Sequence, residues 1–77
     1  MNFKTIYMDL NKRRQEIISF AMYKHKVTKL ELSEALGMSY PTMLSKLKST
    51  GDFKLSEADN LCNYLNIELT EFITLKN

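Results

Sequence analysis

Cys62 is the only cysteine of the chain's 77 residues. No disulfide can form within it, and no cysteine-based metal site can be assembled. A small fold without such staples implies a reducing, cytosolic compartment. Glycine and proline are nearly as scarce, with two of the first and one of the second. A many-stranded β fold needs far more turn punctuation than that, which leaves helices joined by short loops. No apolar run approaches the ~20 residues that span a bilayer. The amino terminus has neither the basic start nor the apolar stretch of a signal peptide. Repeats, low-complexity segments and linkers are also missing, so one domain is expected, with a modest core and little room for a substrate cleft. Paired carboxylates, a Gly-rich phosphate loop and metal-ligand spacing are all absent. The expectation is a protein that is not an enzyme and takes no cofactor.

What is present is ordinary for a globular domain: 44% hydrophobic and 26% charged residues. The net charge of +2 is spread unevenly. Residues 1–27 carry +4, residues 28–55 carry +1 and residues 56–77 carry −3. A basic first half with an acidic tail suits a molecule that turns one face to a polyanion, although an ordinary solvated surface can look the same.

Residues 1–8, MNFKTIYM, read as an amino-terminal arm or a short strand, because Phe3, Thr5 and Tyr7 alternate with Lys4, Ile6 and Met8. Residues 9–77 form the domain proper. Asp9 is expected to cap a first helix that ends near His25 or Lys26, with Leu10, Ile17, Ala21 and Lys24 on one stripe and Ile18 and Met22 beside it. Thr28-Lys29-Leu30-Glu31 reads as a capping box opening a second helix. Leu32, Ala35 and Leu36 form its inward side, and Gly37 stops it by supplying a positive φ. A third helix follows within two or three residues. Ser39 is chemically the better cap, whereas Pro41 at the first helical position would make Tyr40 the cap, and both registers remain open. Met43 and Leu47 face inward, and Lys46 and Lys48 outward. Phe53 anchors a loop around Gly51. Ser56 with Asp59 then caps a fourth helix whose stripe of Ala58, Leu61, Cys62 and Leu65 has i, i+3, i+4, i+7 spacing. Asn66 ends it, and a last short helix is expected near 70–75, where Leu69, Phe72 and Ile73 close the core.

The informative unit is residues 28–48. A short capped helix ends at Gly37, and the three-residue turn Gly37-Met38-Ser39 leads into a second short helix. Met38 would plug the crevice between them, and Leu32, Leu36, Met43 and Leu47 would lock their angle from beneath. Such a turn aims the second helix away from the body, where it can enter a major groove about 12 Å wide.

The run TKLELSEALGMSYPTMLSKLK, with Leu55-Ser56-Glu57 and Leu65-Asn66-Ile67 after it, resembles the Cro/repressor-type (Xre-like) helix-turn-helix domains of bacteriophages and bacteria. The likeness covers roughly residues 17–73. The fold class is thus all-α, a compact four- to five-helix bundle with a helix-turn-helix. The resemblance implies binding to operator DNA, often as a dimer. Matched residue by residue, it puts base reading on Tyr40, Pro41, Thr42, Leu44, Ser45 and Lys48, with Ser39 at the entry to the helix. It also implies phosphate contact at Lys29. The family usually has Ala where this chain has Ser33. Tyr40, Pro41 and Leu44 supply apolar contacts that read thymine methyls, and with no Arg on this helix DNA shape is expected to contribute to specificity.

Lys46 and Lys48 are read as phosphate contacts, and Tyr40 as either a DNA contact or a ring that caps the turn. Lys12, Arg13 and Arg14 read as surface residues of the first helix that add non-specific, salt-sensitive attraction. His25 stands alone between Lys24 and Lys26 with no catalytic or metal partner in sequence, and Cys62 is a core residue. The expectation is therefore a cytoplasmic, nucleoid-associated regulator of double-stranded DNA in a bacterial host, a homodimer through Phe3–Met8 and Phe72–Leu75. A helix-turn-helix used as a protein-interaction module, such as an antirepressor or antitoxin, is the alternative, with Leu30 a candidate member of its apolar patch.

Overall fold

The computed structural model describes residues 3–73, with side chains described from 10 to 72. Five helices follow one another: α1 (Phe3–His25), α2 (Lys29–Ala35), α3 (Tyr40–Lys48), α4 (Leu55–Leu65) and α5 (Leu69–Ile73). A single 3₁₀ turn, Thr50–Asp52, joins α3 to α4. Helix α2 packs on α3 and α4 on α5, while α1 lies across α4 and the 3₁₀ turn. At 23 residues α1 is by far the longest element.

Helix α1 starts six residues before the expected cap, which corrects the reading of residues 3–8 as an arm or strand. Phe3, Ile6, Tyr7 and Leu10 also stand at i, i+3, i+4 and i+7, so the same residues satisfy a helical period. No Gly or Pro interrupts the chain before Gly37. Once a helix has nucleated, each added residue gains a hydrogen bond at little cost, so the helix runs on toward the terminus. Asp9 is accordingly an interior residue of α1 rather than its cap. The buried line of α1 runs through Ile18 and Ala21, flanked by half-buried Leu10, Ile17 and Met22; Lys24 is exposed.

The core joins Ile18 and Ala21 to Leu32, Met43, Phe53, Ala58, Leu61, Cys62, Leu65 and Phe72. All four residues of the α4 stripe are therefore buried, and Phe53 anchors its loop. On α2 the inward side is Leu32 and Ser33, with Leu36 half-buried, and Ala35 is exposed. Ser33 takes the inward place because it is small and its hydroxyl donates to the Leu30 carbonyl at 2.7 Å, so burial leaves no unmet polar group. Leu69 is partly buried against the core; the side chain of Ile73 and all of Leu75 lie outside the described residues.

Three helices end in the same way. At Lys26, Gly37 and Asn66 φ is positive, at 56°, 69° and 56°. In each case that residue's N–H bonds three residues back and the next residue's N–H bonds five back: Lys26 to Tyr23 and Val27 to Met22, Gly37 to Glu34 and Met38 to Ser33, Asn66 to Asn63 and Ile67 to Cys62. This pair of hydrogen bonds is the Schellman arrangement, which satisfies the last carbonyls of a helix. The following residue is apolar each time, and Val27, Met38 and Ile67 all pack against the core. The reversals that shape the molecule are thus fixed by a backbone angle on the outside and a buried side chain beneath it.

Candidate nucleic-acid interface

Helix α2 opens at the expected capping box. The Glu31 amide donates to Thr28 Oγ1 and the Thr28 amide donates to Glu31 Oε1, each at 3.1 Å. It closes at Gly37, and Met38 is half-buried and packs against the core. Ser39 has extended backbone angles, and its hydroxyl accepts from the Thr42 amide at 3.3 Å, so Ser39 is the cap of α3. Pro41 then falls at the second helical position, where a missing N–H leaves no helical bond unmade. The Ser39 hydroxyl also donates to Thr42 Oγ1 at 2.8 Å. Ser39 therefore builds the start of α3, and Thr42 keeps its own hydroxyl proton for another acceptor.

Met43 is buried and Leu47 half-buried, and they seat α3 on the body. Tyr40, Pro41, Thr42, Ser45 and Lys48 are exposed, and Lys29 is exposed at the start of α2. Pro41, Ser45 and Lys48 stand at i, i+4 and i+7, so they share one outward ridge. Tyr40 is 42% exposed and lines, with Leu44, the groove between α1 and α3. Leu44 is half-buried there rather than on the open ridge. Helix α3 contains no acidic residue.

Lys46 differs from its neighbours. Its ammonium is 2.5 Å from Glu57 Oε1, and its side chain is only 17% exposed. The same carboxylate oxygen accepts from the Lys54 amide at 2.9 Å. Glu57 thus closes the first turn of α4, which begins at Leu55 behind Lys54 and not behind the expected Ser56–Asp59 pair. The Lys46 hydrogen bond, then the Lys54 amide, hold the Glu57 carboxyl below its ordinary value of 4.5. Lys46 ties α3 to α4, and Lys29 and Lys48 are the cations of the α2–α3 unit without an ion pair among the described residues.

Two amides of α1 belong to this site, and sequence reasoning passed over both. Asn11 Nδ2 donates to the Lys48 carbonyl at 3.0 Å, and Gln15 Nε2 donates to the Leu47 and Lys48 carbonyls at 3.0 and 3.1 Å. Asn11 Oδ1 accepts from the Thr50 amide at 2.8 Å and from its hydroxyl at 2.6 Å. These bonds satisfy the orphan carbonyls at the end of α3. The available signal was spacing: Asn11, Gln15, Ile18 and Met22 lie at i, i+4, i+7 and i+11, so two amides occupy an inward stripe. Arg14 is also engaged, donating from Nε to the Phe72 carbonyl at 3.1 Å with its guanidinium 5.6 Å from that ring's centre. His25 is exposed at the end of α1. Burial pushes the Cys62 thiol up to about 11, as befits a core residue.

Among the described residues, no cluster of His, Cys, Asp or Glu could hold a metal ion. No helix among them is long and apolar enough to cross a membrane. Neither curated proteins nor solved structures give a match. The family model for the Cro/C1-type HTH DNA-binding domain matches residues 18–77, from the second half of α1 to the end of the chain. With its capped α2, Schellman turn at Gly37 and exposed α3, the chain belongs to the Cro/C1-type helix-turn-helix DNA-binding domain family.

Proposed function

We propose that this chain is a sequence-specific transcriptional regulator of the phage-repressor or Cro type, which seats α3 in the major groove of an operator. The observation that carries this reading is the outward side of α3. Thr42, Ser45 and Lys48 are exposed, and no acidic residue stands on that helix to repel phosphate. Thr42 and Ser45 offer hydroxyls to base edges, and Pro41 offers apolar contact to a thymine methyl. Lys48 and Lys29 meet phosphates at the two ends of the unit. Lys46 contributes by holding α3 against α4. One short helix reads few base pairs, so the protein acts as a homodimer on half-sites about 34 Å apart, one helical turn of DNA.

Selection from a random-sequence duplex pool followed by anisotropy titration tests this. The wild-type protein should enrich one duplex whose affinity falls steeply as salt rises. Lys48→Ala should weaken binding to enriched and scrambled duplexes alike and flatten the salt slope by about 0.9, one phosphate contact. Failure to bind any duplex at ~50 mM salt, where counterion release is strongest, would defeat the reading. If a specific protein were then captured through α3, the interaction-module alternative would replace it.

A further inference from the structure

Helix α1 separates two grooves of opposite electrostatic character. On one side, against α4 and α5, the lining includes Phe20 with Glu16, Glu68 and Glu71, which outnumber the Lys24 and His25 that also line it. On the other, against α3, the lining includes Gln15, Ser19, Tyr40, Lys29 and Lys48, and no carboxylate at all. Lys12 stands three residues before Gln15 and seven before Ser19, so it lies on their stripe, at the amino-terminal end of this second groove. It is exposed. The lysine-lined groove ends where Asn11 and Gln15 bond the carbonyls of Leu47 and Lys48. Lys12 is therefore carried beside Lys48 by side chains bonded to the backbone of Lys48 itself. Arg13, the next residue, falls on the stripe of Ile17, Phe20 and Lys24, which line the acidic groove. Both cations have Glu16 at helical-neighbour spacing, so what distinguishes them is the groove to which each one's stripe leads.

From this placement we propose that α1 is a second DNA-contacting element, in which Lys12 meets a backbone phosphate next to the one met by Lys48. Asn11 and Gln15 are its positioning residues. The proposal rests on the DNA-binding reading above, and it adds a surface that lies before the family-matched span of residues 18–77. The occupant is the phosphate backbone of a duplex: the groove lining offers the ammonium groups of Lys29 and Lys48 without a carboxylate, and α3 already sets the duplex on that side, while Glu16, four residues after Lys12, is the acidic neighbour that a phosphate must displace. A phosphate here also lies beyond the carbonyl end of α3, where bare carbonyls would repel it. The donors of Asn11 and Gln15 already occupy those carbonyls, so the repulsion is reduced.

The test compares Lys12→Ala with Arg13→Ala in anisotropy titrations on the duplex that the wild-type protein selects. Both substitutions remove one positive charge from an exposed position of the same helix. Lys12→Ala should flatten the salt slope by about 0.9, whereas Arg13→Ala should leave it unchanged. Gln15→Ala, checked for retained helicity by circular dichroism, loosens the seat of α1 on α3. In that background Lys12→Ala should lose most of its effect, which a merely structural role for Gln15 would not produce. Equal effects of the Lys12 and Arg13 substitutions would overturn the proposal in favour of diffuse attraction. A neutral Lys12→Ala, or full additivity with Gln15→Ala, would overturn it as well. If the wild-type protein selects no duplex, the DNA-binding reading itself falls and this proposal goes with it. If it selects one and Lys12 is silent, only the role of α1 is lost.

Discussion

Lys26, Gly37 and Asn66 hold the same left-handed backbone angle at three helix ends, yet only one of them is the residue type that holds it without strain. At Gly37 a Cβ would meet nothing within 4 Å, so a side chain there would cost strain and no clash. Gly37→Ala should therefore destabilise the domain by ~1–2 kcal/mol, and Lys26→Gly should stabilise it by ~0.5–1 kcal/mol, the relief of strain less the entropy of a freer unfolded chain. In a domain of this size ~1 kcal/mol moves the melting midpoint by about 4–8 °C, well within reach of thermal denaturation followed by circular dichroism. A loss at Lys26→Gly as large as that at Gly37→Ala would mean that the Lys26 side chain contributes contacts outweighing its backbone strain. Gly37 and Asn66 were readable as stops in the sequence because their residue types favour positive φ. Lys26 was readable only as a position, since nothing about lysine announces that angle.

Among the elements, α3 is short and is held at both ends by other parts of the chain. Ser39 caps its start, Lys46 ties its side to Glu57, and Asn11 and Gln15 occupy its last carbonyls. The Glu57 contact gives a pH-dependent share of stability. The folded state lowers the Glu57 pKa, so that share is complete above the unfolded value of 4.5 and is lost as pH falls through the lower folded value. Melting curves of wild type and Glu57→Gln should differ at neutral pH, with the wild type more stable, and converge under acid. A difference that persists unchanged at low pH would assign the effect to something other than the ionised carboxylate. The sequence exposed most of this scale and missed some of it for definite reasons. Capping chemistry and i, i+3, i+4 spacing are local, so the box at Thr28, the stripe of α4 and the turn at Gly37 were legible. The partners of Lys46, Asn11 and Gln15 lie 11 to 39 residues away in sequence, and no local pattern reports them. The first six residues of α1 were missed because Phe3, Thr5 and Tyr7 satisfy a strand's alternation, while Phe3, Ile6, Tyr7 and Leu10 satisfy a helix's period equally well.

At the scale of the whole molecule, net charge is a poor guide because the two sides of α1 differ. The +2 total conceals a lysine-lined side shared with α3 and an acidic side shared with α5. A polyanion meeting this molecule is drawn to the first and repelled by the second, so orientation is set before any base is touched. On the proposed function, the outward ridge of α3 would then lie against the DNA groove with Lys29 at one end and Lys48 at the other. The most direct test is to map amide chemical-shift changes in nitrogen-15-labelled protein as the selected duplex is added. The largest changes should fall at Lys29, Thr42, Ser45 and Lys48, with the groove around Phe20 and Ile67 unmoved. Changes confined to that Phe20 groove, with the amides of α3 silent, would contradict the account.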